Sequence, residues 1–276
     1  MMETSMNRLK VLMVLLILAP GNSLAKDIIF SSPPRESIKE GNLMYGAIAS
    51  YLSEVIDHRV IYKHPANWLI YTTNMQNDVY DLVFDGPHFI SYRMAKHKHT
   101  PLVKLPGQLD FVIISRKDNY RVTELKDLAG RPVCSHAPPN LATLTLQAQF
   151  DNPLRQPRLL ETHGFKNAYT GVIKKTCEAA PIPSKVYKKF NQGETQGQTR
   201  ILFKSQPLPQ QAFSVSSRVG PVLRAKITAA LLDQKGNQAT AKLRKRFAGG
   251  RALTQADPKH YAGLAYLLKN VWGFEL

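Results

Sequence analysis

The chain has 276 residues, and its 37 lysines and arginines outnumber its 20 aspartates and glutamates, giving a formal net charge of +17. This length is enough for one large domain or two modest ones. The basic residues are spread along the chain and are not clustered with aromatics, which argues against a nucleic acid partner.

The first 25 residues have the pattern of a secretory signal peptide. Arg8 and Lys10 form a short basic region, residues 11–19 form an apolar core, and Ala25 is the last small residue before a cleavage point. The core is too short to span a membrane. A buried N-terminal helix, the other interpretation, would show a polar face that this segment lacks. No cysteine follows the core, which excludes a bacterial lipid anchor. We therefore expect cleavage after Ala25 and a periplasmic location.

The next part of the chain alternates between strands and helices. The order strand, helix, strand, helix, strand predicts right-handed crossovers and a parallel, doubly wound sheet. The strands are expected at 27–32, 58–64 and 81–86; the first helix has Ile38, Leu43, Ile48 and Leu52 on its apolar stripe, and the second covers 67–80.

A second alternation of the same kind follows a strand at 109–118. It predicts a second α/β lobe, after which the chain crosses a polar, flexible segment at 191–200 and returns to the first lobe. Strands are expected at 131–136, 157–162, 176–182 and 211–219, and helices at 140–150, 164–175, 220–233, 236–247 and 258–270.

The predicted fold class is therefore α/β, with two doubly wound α/β lobes joined by a two-segment hinge. Lobe 1 is discontinuous and consists of residues 26–112 plus 213–276, and lobe 2 consists of residues 113–212. Ligands of such folds lie in the cleft at the carboxyl ends of the strands.

Cys134 and Cys177 are the two cysteines of the chain. In an oxidising compartment such a pair is most simply a disulfide, which would enclose a long loop and contribute about 4 kcal/mol in the chain-entropy model. A reactive or metal-binding thiol pair and two free buried cysteines are the alternatives.

Three strand-to-helix turns are expected to face the cleft. The first contains Ser31 and Arg35; the arginine would pair with an anion or lie in solvent at a helix start. In the second, Asp85 would cap a helix or contact a ligand, Gly86 would let the backbone approach closely, and Pro87 would be the first helical residue.

His88 follows this Gly-Pro turn, and it would either bind a ligand or be a surface or hydrogen-bonded residue. The third turn, "CSHAPPN", brings Ser135 and His136 toward the same cleft. The basic run "KLRKRF" at 242–247 is interpreted as a solvated helix face or as a docking patch for an acidic partner or membrane.

Four segments, in this order, carry a resemblance to a known family: "DVYDLVFDGPHFISYR", "ELKDLAGRPVCSHAPPN", "TGVIKKTCEAAPIPSKVYKKF" and "ILFKSQPLPQQAFSVSSRVGPVLRAKITAALL". They resemble the phosphate/phosphite/phosphonate-type periplasmic substrate-binding proteins of ABC transporters. The resemblance covers most of the chain after residue 25. It implies the type 2 periplasmic binding protein fold and a small oxyanion as the ligand.

One stretch departs from the family. Phosphonate-type members carry a run of serines and threonines at the helix N-terminus that opens lobe 2, where hydroxyls and backbone N–H groups hold the oxyanion. Here the stretch is "SHAPPNLATLT", in which Ser135, Asn140 and Thr143 remain as donors and two prolines lack an N–H. An oxyanion would have fewer donors than in the family.

Taken together, these patterns predict a periplasmic, monomeric solute-binding protein that captures a small, phosphate- or phosphonate-like anion for an ABC permease or a sensor kinase. The alternative is a periplasmic thiol, metal or arsenite-like metalloid protein that uses Cys134, Cys177, His88 and His136. An accessory protein with a vestigial site is a third hypothesis. No nucleophile elbow or triad is present, so we expect no enzyme activity, catalytic residue, metal site or cofactor.

Overall fold

The structure is a computed structural model that describes residues 26–269, 271 and 274. The predicted signal peptide therefore lies outside the described residues. Among the residues that are described, no helix combines the length and the apolar character that a membrane span requires.

The described chain alternates between strands and helices. The strands are β1 (Ile28–Ser31), β2 (Val60–Tyr62), β3 (Leu82–Asp85), β4 (Thr100–Lys104), β5 (Gln108–Leu109), β6 (Phe111–Arg116), β7 (Pro132–Ser135), β8 (Arg158–Glu161), β9 (Ala179–Pro183), β10 (Thr199–Lys204), β11 (Leu208–Pro209), β12 (Ala212–Val215) and β13 (Thr254–Gln255). The α-helices are α1 (Ile38–Ile56), α2 (Trp68–Gln76), α3 (Pro87–His97), α4 (Leu141–Gln147), α5 (Phe165–Ile173), α6 (Ser184–Phe190), α7 (Pro221–Leu232), α8 (Gln234–Ala239) and α9 (Ala241–Ala248).

The first sheet has six strands in the order β13-β4-β12-β3-β1-β2. Strands β2, β1 and β3 are parallel, as predicted. The returning strand β12 is antiparallel to both of its neighbours, β3 and β4. The centre of this sheet is thus completed by a strand that comes from far along the chain.

The second sheet has five strands in the order β10-β6-β9-β7-β8. Strands β8, β7 and β9 are parallel, again as predicted. Strands β6 and β10 extend the sheet in antiparallel pairing. The two sheets confirm the predicted fold class of two α/β units, each with a parallel core.

The two crossing segments pair with each other between the sheets. In the short ladder of β5 and β11, Leu208 is opposite Leu109 and Pro209 is opposite Gln108. The exact lobe boundaries at residues 112/113 and 212/213 stay a prediction.

The sequence of helix α1 explains both where the helix begins and which of its faces is buried. Ser37 and Glu40 form a capping box at its start. Ile48 and Leu52 lie on the buried face, as predicted. Ile38 and Leu43 were assigned to the same stripe, and this assignment is wrong because they are 60% and 53% exposed. The buried face instead follows Met44, Ile48, Leu52 and Ile56 at the helical spacing of four residues.

Other segments also differ from the sequence-based expectation. The expected helix at 258–270 is replaced by two short 3₁₀ segments, Pro258–His260 and Leu264–Leu268. The segment at 191–200 was expected to be flexible, yet its end begins β10, which pairs with β6. The helix expected at 67–80 ends at Gln76.

Candidate ligand-binding cleft

A cavity of about 320 Å³ lies between the two sheets, next to the crossing segments. The carboxyl ends of β1, β3, β7 and β9 lead into its walls, as expected for a ligand site in open α/β sheets. Its lining consists of Arg35, Trp68, Gly86, Pro87, His88, Phe89, Gln108, Leu109, Asp110, Phe111, Pro139, Asn140, Leu141, Ala142, Phe165, Pro183, Lys185, Val186, Gln210, Gln211, Arg246 and Phe247.

Half of the ligand-binding residues predicted from the sequence line this cavity. They are Arg35, Gly86, Pro87, His88 and Asn140. The other five are not among the lining residues; they are Ser31, Asp85, Ser135, His136 and Thr143.

His88 is buried and joins the two α/β units. Its Nε2 lies 3.2 Å from the carbonyl oxygen of Pro139, which belongs to the turn between β7 and α4. Burial lowers the pKa of His88 to about 3, so the ring is neutral at physiological pH and donates from Nε2. Its Nδ1 is buried without a hydrogen-bond partner. The interpretation of His88 as a surface residue is therefore wrong.

Gly86 provides the space for the His88 ring. A Cβ at this position would lie 2.8 Å from Cε1 and 3.1 Å from Nδ1 of His88. Gly86 thus allows the close approach of the His88 side chain, which belongs to the same turn.

Asp85 is at the centre of a buried hydrogen-bond network next to the cleft residue Gly86. Both carboxylate oxygens accept hydrogen bonds: one from the Tyr71 hydroxyl at 2.6 Å, the other from Arg93 Nε at 2.9 Å. The Asp85 and Arg93 side chains are fully buried. Helix α3 is capped by Gly86 with no side-chain hydrogen bond, so the interpretation of Asp85 as a helix cap is wrong.

The predicted hydroxyl donors already donate within the protein. Ser31 Oγ donates to the carbonyl of Lys63 at 2.8 Å. Ser135 Oγ and Thr143 Oγ1 both donate to the carbonyl of His136, at 3.0 and 2.7 Å.

Two further predicted residues flank the start of α4. The His136 ring lies edge-on against Phe165, with centroids 4.7 Å apart. Asn140 caps α4, and its Oδ1 accepts the Ala142 N–H at 3.0 Å. The rim of the second sheet therefore offers an oxyanion few side-chain hydroxyls.

Positive charge comes mainly from the side of the first sheet. Arg35 Nη1 is buried without a hydrogen-bond partner. The guanidinium carbons of Arg35 and Arg246 lie 5.7 and 5.4 Å from the centroid of the Phe247 ring. Lys185 is a third cationic residue of the cleft lining. Asp110 contributes a carboxylate to the same lining.

Arg246 also contacts the buried carboxylate of Glu36, with Nε 3.0 Å from Oε1. Burial raises the pKa of Glu36, and the neighbouring arginines oppose this shift.

The basic run at 242–247 is the main site feature that sequence reasoning missed. Arg246 and Phe247 of α9 line the cleft, so the interpretation of the run as a solvated helix face holds only in part. Lys242 and Lys245 are exposed, as that interpretation requires, and the docking patch stays a prediction. Leu243 is fully buried. The apolar pair Leu243 and Phe247, four residues apart, was the signal that this helix has an inner face.

The cysteines form the predicted disulfide. Cys134 and Cys177 are bonded to each other, with Cα atoms 5.7 Å apart. Gly171 of α5 lies against the bridge, because a Cβ there would be 2.7 Å from Cys134 Sγ. A search of the described residues finds no group of three or more His, Cys, Asp or Glu side chains that could hold a metal ion.

Comparison with protein families identifies the chain. Residues 30–261 match the family described as "ABC transporter, phosphonate, periplasmic substrate-binding protein". The chain belongs to this phosphonate-binding family. Its members are periplasmic, are not enzymes, and bind small ligands that they deliver to an ABC permease. No curated protein matches the chain.

Solved structures show the same fold. XAC2383 from Xanthomonas citri bound to chloride ion is similar with a TM-score of 0.69 at 12% identity, over 89% of this chain and 98% of that chain. PhnD1 from Prochlorococcus marinus in complex with methylphosphonate has a TM-score of 0.61 at 12% identity, with the same coverage. A phosphonate transporter binding protein (PA3383) from Pseudomonas aeruginosa has a TM-score of 0.59 at 13% identity, over 86% and 83%. These neighbours confirm the type 2 periplasmic binding protein fold.

Proposed function

We propose that this protein is a monomeric solute receptor that binds a phosphonate-like oxyanion in the cleft and presents it to an ABC permease. The observation that carries the proposal is Arg35, whose Nη1 is buried in the cleft wall without a partner. Arg35 as a whole is half-buried, but this one guanidinium nitrogen is removed from water and lacks the acceptor that an anionic ligand would supply.

Helix α3 supports the same ligand chemistry. Its first residues, Pro87, His88 and Phe89, line the cleft, and Gly86 supplies no side-chain cap. Pro87 has no N–H and the Ile90 N–H donates to the Gly86 carbonyl, so the N–H groups of His88 and Phe89 are the ones that lack intrahelical partners and carry partial positive charge. They are therefore suited to hold an oxyanion beside Arg35.

The ligands of two of the similar proteins are consistent with the proposal. PhnD1 is in complex with methylphosphonate, and XAC2383 is bound to chloride in one structure and to ATP in another. All three ligands are anionic. The thiol or metalloid alternative finds no such support, because Cys134 and Cys177 are bonded to each other and offer no thiolate.

The test measures the melting temperature of the chain from residue 26 onward with methylphosphonate, phosphate, sulfate and acetate. We expect methylphosphonate to raise the melting temperature in a concentration-dependent way. Arg35→Gln should weaken its binding about 10- to 100-fold, because a charge-assisted hydrogen bond is lost. Arg59→Gln is the matched control: Arg59 is 74% exposed and pairs only loosely with Asp27. Absence of stabilisation by every anion, or equal binding by Arg35→Gln, would contradict the proposal.

A further inference from the structure

The cleft is much more apolar than a site for a small oxyanion alone requires. Trp68 and Phe89 form part of the wall on the side of the first sheet. Leu141, Phe165 and Val186 form the wall on the side of the second sheet. Apolar side chains in such walls stay exposed to water, which is unfavourable, unless a ligand covers them.

The size of the cavity points in the same direction. A closed apolar cavity of about 150 Å³ holds a benzene molecule. The cleft measures about 320 Å³, roughly twice that volume. The open cleft therefore has room for an anionic head group with a ring-sized substituent.

The candidate anion donors lie mainly on one side of the cleft, whereas apolar side chains line both sides. Arg35 and the start of α3, which bind anions, both follow strands of the first sheet. On the opposite side, the hydroxyls of Ser135 and Thr143 donate to the carbonyl of His136. The side of the second sheet therefore presents Phe165 and Leu141 to a ligand, and few donors for its oxygens.

We infer that the ligand is an organophosphonate with an aromatic or similarly sized apolar substituent. This inference rests on the proposed function and narrows its ligand class. The phosphonate oxygens accept hydrogen bonds from Arg35 and from the N–H groups of α3. The substituent packs against Trp68, Phe89 and Phe165.

The experiment compares phenylphosphonate with methylphosphonate, inorganic phosphate and benzyl alcohol by titration calorimetry. Burial of the ring should make phenylphosphonate bind at least about 10-fold more tightly than methylphosphonate. Trp68 is one of two tryptophans, so its fluorescence in a Trp272→Phe background reports binding at the cleft itself.

A variant separates the apolar wall from the anion site. Phe165→Ala should reduce the preference for phenylphosphonate over methylphosphonate by about 10-fold, because the ring loses one of its apolar contacts. Phe203→Ala is the control, because Phe203 is a half-buried phenylalanine of the second sheet outside the cleft lining. If Phe165→Ala does not fold, Phe165→Leu takes its place, with a smaller loss expected.

The outcomes are distinguishable. If methylphosphonate binds and phenylphosphonate binds no more tightly, the inferred substituent is wrong and the proposed function stands. An unchanged preference in both Phe165 variants also overturns the inference. If no oxyanion binds, or if benzyl alcohol binds as well as phenylphosphonate, the proposed function is wrong as well.

Discussion

At the level of single residues, His88 has a different role from the one its position in the sequence suggested. The sequence favoured a ligand contact or a surface hydrogen bond. In the structure the ring lies against Phe89, with centroids 4.1 Å apart, and Nε2 donates to Pro139. His88 thus links the start of α3 to the turn before α4, and its Nδ1 is buried without a hydrogen-bond partner.

Burial of this histidine predicts a loss of stability in acid. The pKa of His88 is lowered to about 3 in the folded protein, whereas an unfolded histidine has a pKa of about 6.5. Protons therefore bind preferentially to the unfolded state as the pH falls from 6.5 toward 3, and the free energy of unfolding decreases in this window. Between pH 7 and pH 5, protonation of His88 in the unfolded state should lower the free energy of unfolding by about 2 kcal/mol. Urea unfolding at both pH values measures it.

The control for this prediction is the variant His88→Gln, because a glutamine side chain does not titrate. We expect its free energy of unfolding to change less between pH 7 and pH 5 than that of the wild type. Some dependence should remain, because burial also lowers the pKa of His99 to about 4. Identical pH profiles for the two proteins would show that His88 is protonated as easily folded as unfolded.

At the level of elements, the ion pair between Asp85 and Arg93 holds β3, α3 and α2 together. Asp85 ends β3, Arg93 lies one and a half turns into α3, and Tyr71 of α2 donates to the same carboxylate. Asp85→Ala should destabilise the protein by about 3–5 kcal/mol, because it leaves the buried guanidinium of Arg93 without its counter-charge. Chemical denaturation measures the loss.

The double variant Asp85→Leu/Arg93→Met tests whether unpaired charge is the cause. Removing both charges should cost less than the sum of the two single substitutions, since no isolated charge stays buried. Strictly additive losses would mean that packing, and not the ion pair, accounts for the effect.

The disulfide ties the end of β7 to the segment after α5. Replacing both cysteines by alanine should lower the free energy of unfolding by about 4 kcal/mol, because the unfolded chain regains the freedom of a long loop. Reduction of the wild-type protein should produce the same shift in the urea midpoint, and it should have no effect on the double alanine variant. A wild-type midpoint that reductant leaves unchanged would contradict this.

The elements that the sequence predicted well are those with continuous apolar runs. Strands β1, β3 and β7 are close to their expected bounds, because each is a continuous apolar segment that the local sequence marks. Short strands such as β5, β11 and β13 carry no such pattern, since they form only by pairing across the fold. The segment Leu264–Leu268 has helical spacing, yet forms a 3₁₀ segment packed against α3, where Ser91 Oγ accepts the Ala265 N–H.

At the level of the whole molecule, a cleft between two sheets joined by two short strands predicts closure around the ligand. Small-angle X-ray scattering should show a smaller radius of gyration with saturating methylphosphonate than without it. Arg35→Gln at the same ligand concentration is the control and should show no change. Calorimetric binding at a constant radius of gyration would show that the lobes do not move.

The candidate site could be predicted only in part, for reasons that follow from the fold. Arg35, His88 and Asn140 are each adjacent to a strand end, so local sequence located them. Arg246 and Phe247 reach the cleft only because α9 packs back on the first unit, where Arg246 contacts Glu36. The wall residue Phe165 belongs to a helix start that no turn motif marks as functional. Contacts of this kind depend on the three-dimensional arrangement.

The position of β12 has a consequence for how the protein is made. Strand β12 lies between β3 and β4, with Phe213 opposite Phe84 and Val103. A chain emerging from the ribosome therefore cannot complete its first sheet until residues 212–215 have been synthesised. All strands of the second sheet lie within residues 111–204, so this unit can form earlier. Such long-range pairing slows folding, so the first sheet is expected to form after the second.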